Sequence, residues 1–417
     1  MKGAAALALG LCACAAPPGQ AVLQMWAMGR EGEVVGELTA EFEAANPGIR
    51  VHVQQLPFTS AHEKLLTAYV GDATPDVAQL GNTWIPELAA LGALAPLDGG
   101  GPEAPRVPGE DYFPGIWETN VAGGRLHGIP WYVDTRLLFY RSDLLAEAGF
   151  DHPPRTWDEW HRMLEAIKRR PGPEHYSVLL PLNEYEPLQV LGLEQEEPLL
   201  RDGGRRGNFR SEGFRRAMAF YVRLFDEGLA PRATNTQIAN PWSEFARGYF
   251  AFYITGPWNL GEFRRRLPAE LQGSWATAPM PGPDGPGASS AGGCSLVIFQ
   301  RSRRKEAAAR LIEFLSTPRA QRRFYALSGD LPPRRTSWED PALRGDGRAA
   351  AFREQLERVK PLPGVPEWER IATELRVVGE RAVHGELSPD AAAAELDARA
   401  DRILEKRRWM LEREARR

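Results

Sequence analysis

The sequence is poor in cysteine and histidine and carries no large excess of either charge. Three cysteines, at positions 12, 14 and 294, and seven scattered histidines among 417 residues offer neither a disulfide framework nor a cluster of metal ligands. A formal net charge of -4 provides no field that would attract nucleic acid or an anionic membrane surface. Cofactors, structural metals and polyanion partners are therefore not expected.

Long apolar runs and catalytic motifs are also missing. Beyond the first residues, no segment of about 18 residues is continuously apolar, so no transmembrane helix is predicted. The chain has no Gly-x-Ser-x-Gly elbow, His-Glu-x-x-His pair, phosphate-binding loop or dinucleotide fingerprint in a strand-helix-strand context. Nothing selects a reaction, so the sequence favours a protein that is not an enzyme.

The first 20 residues have the pattern of an export signal. Met1 and Lys2 precede an apolar stretch from Gly3 to Leu11, and the sequence Leu-Cys-Ala-Cys that follows resembles a bacterial lipobox. That resemblance implies a signal peptide over residues 1–13, lipidation at Cys14 and a tether over residues 14–20. The alternative is a frayed cytoplasmic N-terminus.

Strands and helices alternate along the first part of the chain. The patterns predict strands at residues 22–28, 49–54 and 77–80, with helices between them. Ser60 and Glu63 have the spacing of a capping box at the start of the second helix. Because strand-helix-strand units form parallel sheets, the sequence predicts a doubly wound α/β architecture.

A second α/β region is predicted from residue 156 onwards. Thr156 and Glu159 have capping-box spacing before an amphipathic helix. Strands are predicted at residues 178–182 and 249–254, and a later one at residues 294–299. The apolar and aromatic run over residues 128–140 is interpreted as a single strand that crosses between the two regions.

Polar or aromatic side chains follow several of these predicted strands. Asn82 and Thr83 come after residues 77–80, Glu184 follows residues 178–182, and Trp258 follows residues 249–254. In open α/β sheets, ligands bind in the crevice at the carboxyl ends of parallel strands. These positions predict a ligand site, although Asn82 and Thr83 could instead cap the next helix.

Several motifs together resemble the extracytoplasmic solute-binding proteins of bacterial ABC importers, in the carbohydrate-binding branch that includes maltose- and trehalose-binding proteins. The motifs are MWAMGREGE at 25–33, GDATPDVAQLGNTWIPELAALGALAPLD at 71–98, GIPWYVDTRLLFYRSDLL at 128–145, TWDEW at 156–160, ITGPWNLGEF at 254–263, AGGCSLVI at 291–298 and PLPGVPEWERIA at 361–372. Taken in this order, the motifs span nearly the whole mature chain.

The resemblance implies an α/β, two-lobe periplasmic-binding-protein fold of type II, with hinge strands between the lobes and a ligand cleft at their interface. By analogy, the N-terminal lobe comprises residues 21–131 plus 294–333, and the C-terminal lobe residues 132–293 plus 334–417. The resemblance also implies a monomer that is attached to the membrane only through its lipid anchor. This monomer would deliver a disaccharide such as maltose or trehalose to permease subunits.

A sugar site needs carboxylates or amides for the hydroxyls and flat aromatic rings for the sugar faces. The polar candidates are Glu31, Asn82, Thr83, Asp134 and Glu184. The aromatic candidates are Trp131, Tyr132, Trp258 and Trp368. Gly292 and Gly293 are expected to let backbone N–H groups approach the sugar, and Arg334 is a further candidate donor.

Each candidate also fits a role without a ligand. Glu31 could complement the dipole of the first helix, and Asp134 could pair with Arg136 as a hinge salt bridge. A tryptophan belongs to the core more often than to a ligand platform. The two glycines could only ease the entry of a strand, and the candidate arginine could be surface charge.

Three other functions stay open at the level of the sequence. A related binding protein could take a polyamine, a phosphodiester or a metal ion instead of a sugar. A glycosidase could use two of the carboxylates Glu31, Asp134 and Glu184 as acid and nucleophile, at a separation that a sequence does not reveal. A scaffolding lipoprotein would bind no small molecule at all.

Overall fold

The structure is a computed structural model that describes residues 20–171 and 174–416. The expected signal peptide and Cys14 lie outside the described residues. The strands are β1 Ala21–Met28, β2 Ile49–Leu56, β3 Val77–Gly81, β4 Val121–Ala122, β5 Arg125–Leu126, β6 Ile129–Asp134, β7 Leu137–Arg141, β8 Val178–Leu179, β9 Leu200–Arg201, β10 Arg206–Gly207, β11 Phe252–Thr255, β12 Trp275–Ala278, β13 Ser289–Ile298 and β14 Val359–Pro361.

Helices connect and flank these strands throughout the described chain. They are α1 Gly29–Ala45, α2 Phe58–Val70, α3 Ile85–Ala90, α4 Pro114–Glu118, α5 Ser142–Glu147, α6 Trp157–Lys168, α7 Glu186–Leu193, α8 Glu212–Asp226, α9 Pro241–Ala246, α10 Trp258–Arg266, α11 Lys305–Leu315, α12 Pro318–Ser328, α13 Pro341–Arg344, α14 Gly347–Leu356, α15 Trp368–Val383, α16 Pro389–Ile403 and α17 Glu405–Ala415. Short 3-10 turns occur at Asn82–Trp84, Gly109–Asp111, Ala269–Leu271 and Arg335–Glu339.

Two larger sheets organise the fold. The first has six strands, in the order β14, β13, β3, β1, β2, with β6 also paired to β13. In it β1 runs parallel to β2 and β3, whereas β13 runs antiparallel to β3 and β6. The second sheet has four strands in the order β12, β7, β11, β8. In the first part of the chain, β1, β2 and β3 alternate with α1 and α2, as the sequence predicts.

Burial patterns explain why these segments fold as they do. All five residues of β3 are buried, as expected for a parallel strand that is covered on both faces. In α1, Val34, Val35, Leu38 and Phe42 are buried at helical spacing, which places one apolar stripe against the first sheet. The cores of the two sheets are separate, and a third buried cluster joins the far face of the second sheet to Val133 on β6.

The crossing between the sheets differs from the prediction of one continuous strand over residues 128–140. There β6 ends at Asp134 in the first sheet, and β7 begins at Leu137 in the second. Thr135 and Arg136 form the link, because a chain that changes sheets must leave one hydrogen-bond ladder before it joins the next. The predicted lobe boundary at residue 131 cuts β6, and the exact lobe limits stay a prediction.

Two further sequence predictions were wrong in their details. Strand β13 begins at Ser289 rather than at residue 294, because residues 289–291 pair with β14. Helix α2 begins at Phe58 without a side-chain cap, so Ser60 lies inside its first turn. The cap predicted at Thr156 is present, since its hydroxyl accepts a hydrogen bond from the backbone N–H of Glu159.

Within the described ranges, every helix is too short or too polar to cross a bilayer.

Candidate functional site

A cleft of about 740 Å³ draws its walls from elements that follow both sheets. Glu31 reaches it from the first turn of α1, directly after β1, and Trp258 reaches it from the start of α10, which follows β11. Asp330 also lines the cleft, two residues after the end of α12. The volume lies within the range of about 300 to 1,000 Å³ that is usual for small-molecule sites.

Trp258 is a large aromatic side chain that lines this cleft and stays accessible. Its side chain is 43% exposed, although most large apolar residues of the chain are buried. The ring packs so closely on Gly256 that a Cβ at that position would overlap it. Arg136 lies over the ring as well, with its guanidinium 4.6 Å from the ring centroid. The ring is thus held in place with part of its surface free, as an aromatic platform requires.

Arg136 is the centre of the charged groups beside Trp258. Its Nη1 donates to Oδ1 of Asp134 at 2.5 Å, and its Nη2 donates to Oε1 of Glu186 at 3.0 Å. Burial alone would lower the pKa of Arg136, but the two carboxylates reverse this effect and raise it. Burial raises the pKa of Asp134 in spite of its arginine partner. The hinge salt bridge between Asp134 and Arg136 is therefore formed.

Glu184 lies next to this charged group, just before α7. Its Oε1 accepts a hydrogen bond of 2.6 Å from Nδ2 of Asn235. Burial is the main cause that raises the pKa of Glu184, and the nearby carboxylate of Glu186 adds to the effect. Asn235 thus fixes one oxygen of Glu184, while the other has no hydrogen bond from the described residues and suits a sugar hydroxyl.

Glu31 and Tyr132 belong to a buried network below the cleft. The hydroxyl of Tyr132 donates to Sγ of Cys294 at 3.0 Å and accepts from Nε2 of Gln79 at 3.1 Å. It also lies within hydrogen-bonding reach of Glu31, whose pKa is raised by burial. Burial, together with repulsion from Glu31, raises the pKa of Asp330 to about 7. Two carboxyl groups with raised pKa values therefore face one cleft.

Asn82 and Thr83 line a different hollow, of about 110 Å³, together with Ala291 and residues 361–364. Asn82 accepts a hydrogen bond of 3.0 Å from Oγ of Ser295, and its buried Nδ2 has no partner among the described residues. Neither side chain caps a helix, because the 3-10 turn at Asn82–Trp84 and α3 both lack a side-chain cap. The capping alternative is thus excluded, and Asn82 keeps a free donor.

Gly292 and Gly293 are explained by the close approach of two strands. A Cβ on Gly292 would lie 2.3 Å from the carbonyl oxygen of Asp134, and one on Gly293 would lie 2.2 Å from that of Tyr132. Gly293 also has a φ of +126°, which favours glycine. These contacts let β13 pair with β6, so the structure gives both glycines a role in strand pairing.

Three predicted ligand residues lie away from the cleft. Trp131 is 2% exposed and stacks on Phe324, with ring centroids 4.4 Å apart. Trp368 is 1% exposed in the core behind the second sheet. Arg334 donates to Asp111 at 2.6 Å and to the carbonyl of Ser316 at 2.8 Å. The core role given as the alternative for the two tryptophans is the one that the structure shows, whereas Arg334 is neither a ligand donor nor surface charge but part of a largely buried ion pair.

Sequence reasoning missed Asp330 and Glu186 and treated Arg136 only as a partner of Asp134. Asp330 follows a helix-ending glycine rather than a strand, so the strand-end rule could not find it. Glu186 opens α7, where an acidic residue is expected for the helix dipole alone. Their meeting in space depends on chain segments that are far apart in sequence.

One histidine cluster of the described residues could suggest a metal ion. Glu227 contacts Nε2 of His161 at 2.5 Å, and Glu165 lies 3.9 Å from Nδ1. The two carboxylates thus face opposite nitrogens of the ring, and Arg223 already pairs with Glu227 at 2.7 Å. A single ion would need its ligands on one side and no competing cation, so this cluster is read as an ion-pair network.

Comparison with known proteins identifies similar chains across nearly the whole length. A model of the family described as bacterial extracellular solute-binding protein matches residues 29–322. The structure of the sugar-binding protein MalE from Xanthomonas citri is 54% identical and covers 94% of this chain and 99% of its own, with a TM-score of 0.91. The two-lobe periplasmic-binding-protein fold predicted from the sequence is thereby confirmed.

More distant relatives are also similar over most of their length. The diacetylchitobiose-binding protein of Streptomyces coelicolor is 24% identical, over 80% of this chain and 77% of its own. The galactooligosaccharide-binding protein of Bacillus subtilis is 22% identical, over 93% of this chain and 92% of its own.

Proposed function

We propose that this chain, which belongs to the family of bacterial extracellular solute-binding proteins, binds a sugar between its two lobes and delivers it to an ABC importer. The observation that carries the proposal is the accessible ring of Trp258 beside the Asp134–Arg136–Glu186 group. An aromatic face and fixed carboxylate acceptors are what a pyranose needs. A relative that is 54% identical is described as a sugar-binding protein.

The charges around the cleft support a neutral ligand over the alternatives. A polyamine would need carboxylates free of cations, but Asp134 and Glu186 already share Arg136 as their ion-pair partner. A phosphodiester would need free cations, yet Arg264 and Arg265 at the cleft pair with Asp346 and Glu262. A sugar matches these paired groups, because it offers hydroxyls rather than charge.

For the ligand itself we propose a disaccharide of the maltose or trehalose type. The residues proposed to contact it beside the cleft are Glu31, Asp134, Glu184 and Trp258, with the hydroxyl of Tyr132 below them. Asn82 and Thr83 are proposed to contact it from the separate hollow that they line. Trp131, Trp368, Arg334 and the two glycines of β13 are left out, because the structure gives each of them another role.

Calorimetry with maltose, trehalose, longer oligosaccharides and spermidine tests this function. We expect a sugar to bind, and we expect Trp258→Ala to weaken it by about 1 to 3 kcal/mol through lost apolar contact. Trp409→Ala is the matched control, since Trp409 is 55% exposed on α17 and is not part of the cleft. Binding of spermidine alone, or an unchanged sugar affinity in the Trp258 variant, would contradict the proposal.

We further propose that the mature protein is an extracytoplasmic lipoprotein anchored through Cys14, which lies outside the described residues. The support is the lipobox-like Leu-Cys-Ala-Cys sequence at residues 11–14. Cells grown with labelled palmitate should label the natural chain but not Cys14→Ser. A natural chain without label would count against the anchor and would leave the sugar-binding proposal unaffected.

A further inference from the structure

The Asp134–Arg136–Glu186 group has the composition of a binding site for an organic cation. Trp258 supplies an aromatic face, and Asp134 and Glu186 supply carboxylates within hydrogen-bonding distance of one positive group. Aromatic rings and carboxylates are the usual partners of amines. In this chain the positive group is a side chain of the protein itself.

Both the side chain and the backbone carbonyl of Arg136 are held by neighbouring groups. The Arg136 side chain is 14% exposed, and those of Asp134 and Glu186 are 32% and 23% exposed. Its backbone carbonyl accepts a hydrogen bond of 2.6 Å from Oγ of Ser289 on β13. The guanidinium is therefore held from the crossing between the sheets rather than from a mobile surface loop.

Removal of this cation would leave a concentrated negative site. Asp134, Glu186 and the neighbouring Glu184 would then share one half-buried region without the cation that Arg136 supplies. Half-buried carboxylates that lose their cation take up a proton or bind another cation. A linear polyamine carries that charge on a flexible chain that could reach the carboxylates beside the Trp258 ring.

We infer that Arg136 is a specificity-determining residue: its guanidinium occupies the place that an amine of a cationic solute would take, and so it restricts the cleft to uncharged sugars. The inference rests on the proposed function only in taking this cleft as the ligand site. Arg136 acts here by occupying space and charge, and direct contact with the sugar is not required.

A gain of polyamine binding tests the inference, because loss of structure alone would not produce it. Arg136→Met keeps a chain of similar length without charge. We expect this variant to bind spermidine at least about tenfold more tightly than the natural chain, with an affinity that falls as salt is added. Arg136→Lys keeps the cation and should continue to exclude spermidine.

Control variants separate this effect from a change of net charge or a failure to fold. Arg319→Met removes the same charge at a position where the side chain is 84% exposed, and it should gain no affinity for spermidine. If Arg136→Met does not fold, Arg136→Gln carries the same expectation, because it also removes the cation.

Two outcomes overturn the inference. One is a folded Arg136→Met or Arg136→Gln variant that binds spermidine no better than the natural chain, and the other is an equal gain in Arg319→Met. Neither result affects the proposed function, which depends on sugar binding by the natural chain. A natural chain that binds spermidine but no sugar would instead overturn the proposed function. The failure of the inference and the failure of the proposed function are therefore distinguishable.

Discussion

Asp330 shows how a single half-buried side chain can make the stability of this protein depend on pH. Burial and the nearby Glu31 raise the pKa of Asp330 to about 7, while a carboxyl in the unfolded chain titrates at about 3.9. The folded protein therefore binds more protons than the unfolded chain between these pH values. By linkage, the contribution of Asp330 to stability is present at low pH and is lost as the pH rises toward 7.

The substitution Asp330→Asn should remove this loss of stability at higher pH. When the pH is raised from 4.5 to 8, we expect the free energy of unfolding of the variant to gain about 3 kcal/mol relative to the natural chain, because asparagine is neutral throughout. Urea unfolding at several pH values measures the difference. Asp284→Asn, at a position that is 88% exposed, is the control and should show no such trend. A difference between Asp330→Asn and the natural chain that does not change with pH would refute the prediction.

Arg136 is the residue whose role changed most between sequence and structure. In the sequence it is one of several charged residues of a strand-like run, and its pairing with Asp134 is only an alternative. In the structure it connects Asp134, Glu186 and the Trp258 ring, which come from the crossing segment, α7 and α10. A pair two residues apart is visible in a sequence, but the other two contacts depend on the tertiary fold.

At the scale of elements, β13 joins three other strands of the first sheet. Its first residues pair with β14, its middle pairs with β6, and its last residues pair with β3. Gly293 makes this possible, because its backbone conformation and its contact with the carbonyl of Tyr132 leave no room for a side chain. Glycine is thus required here by strand pairing.

Gly293→Ala should therefore destabilise the protein by at least about 2 kcal/mol, since it combines strain at positive φ with a steric clash. Chemical denaturation measures this loss. Gly36→Ala is the matched control: it lies within α1 with open space around its Cβ position, and it should stabilise the protein by about 0.5 to 1 kcal/mol. Equal effects of the two substitutions would show that strand pairing does not demand this glycine.

At the scale of the whole molecule, the cleft joins residues that follow β1 in the first sheet and β11 in the second. A ligand that contacts both sides favours the arrangement in which the sides are closest, because it gains contacts only there. Hinge closure around the ligand is the established motion of two-lobe binding proteins. Ligand binding should accordingly change both the stability and the shape of this chain.

A bound sugar should make the protein more compact and more stable. At a free concentration of about 100 times its Kd, the sugar should add about 2.7 kcal/mol to the free energy of unfolding. Small-angle scattering should show a smaller radius of gyration under the same conditions. Trp258→Ala at the same sugar concentration should show less of both effects. An unchanged radius of gyration at saturation would argue against closure.

The sequence determined the order of strands and helices, the separation into two α/β regions and the family, because short-range periodicity and motif order are local properties. It also predicted Glu31, Asp134 and Trp258 as site residues, since turns after strands can be recognised from composition, and their contact with a ligand stays a prediction. The tertiary structure decided that Trp131 and Trp368 are core, that Arg334 pairs with Asp111, that Arg136 lies over the Trp258 ring, and that Asp330 lines the cleft. The physical reason is that burial and charge pairing depend on which distant segments fold against each other, and a linear pattern does not contain that information.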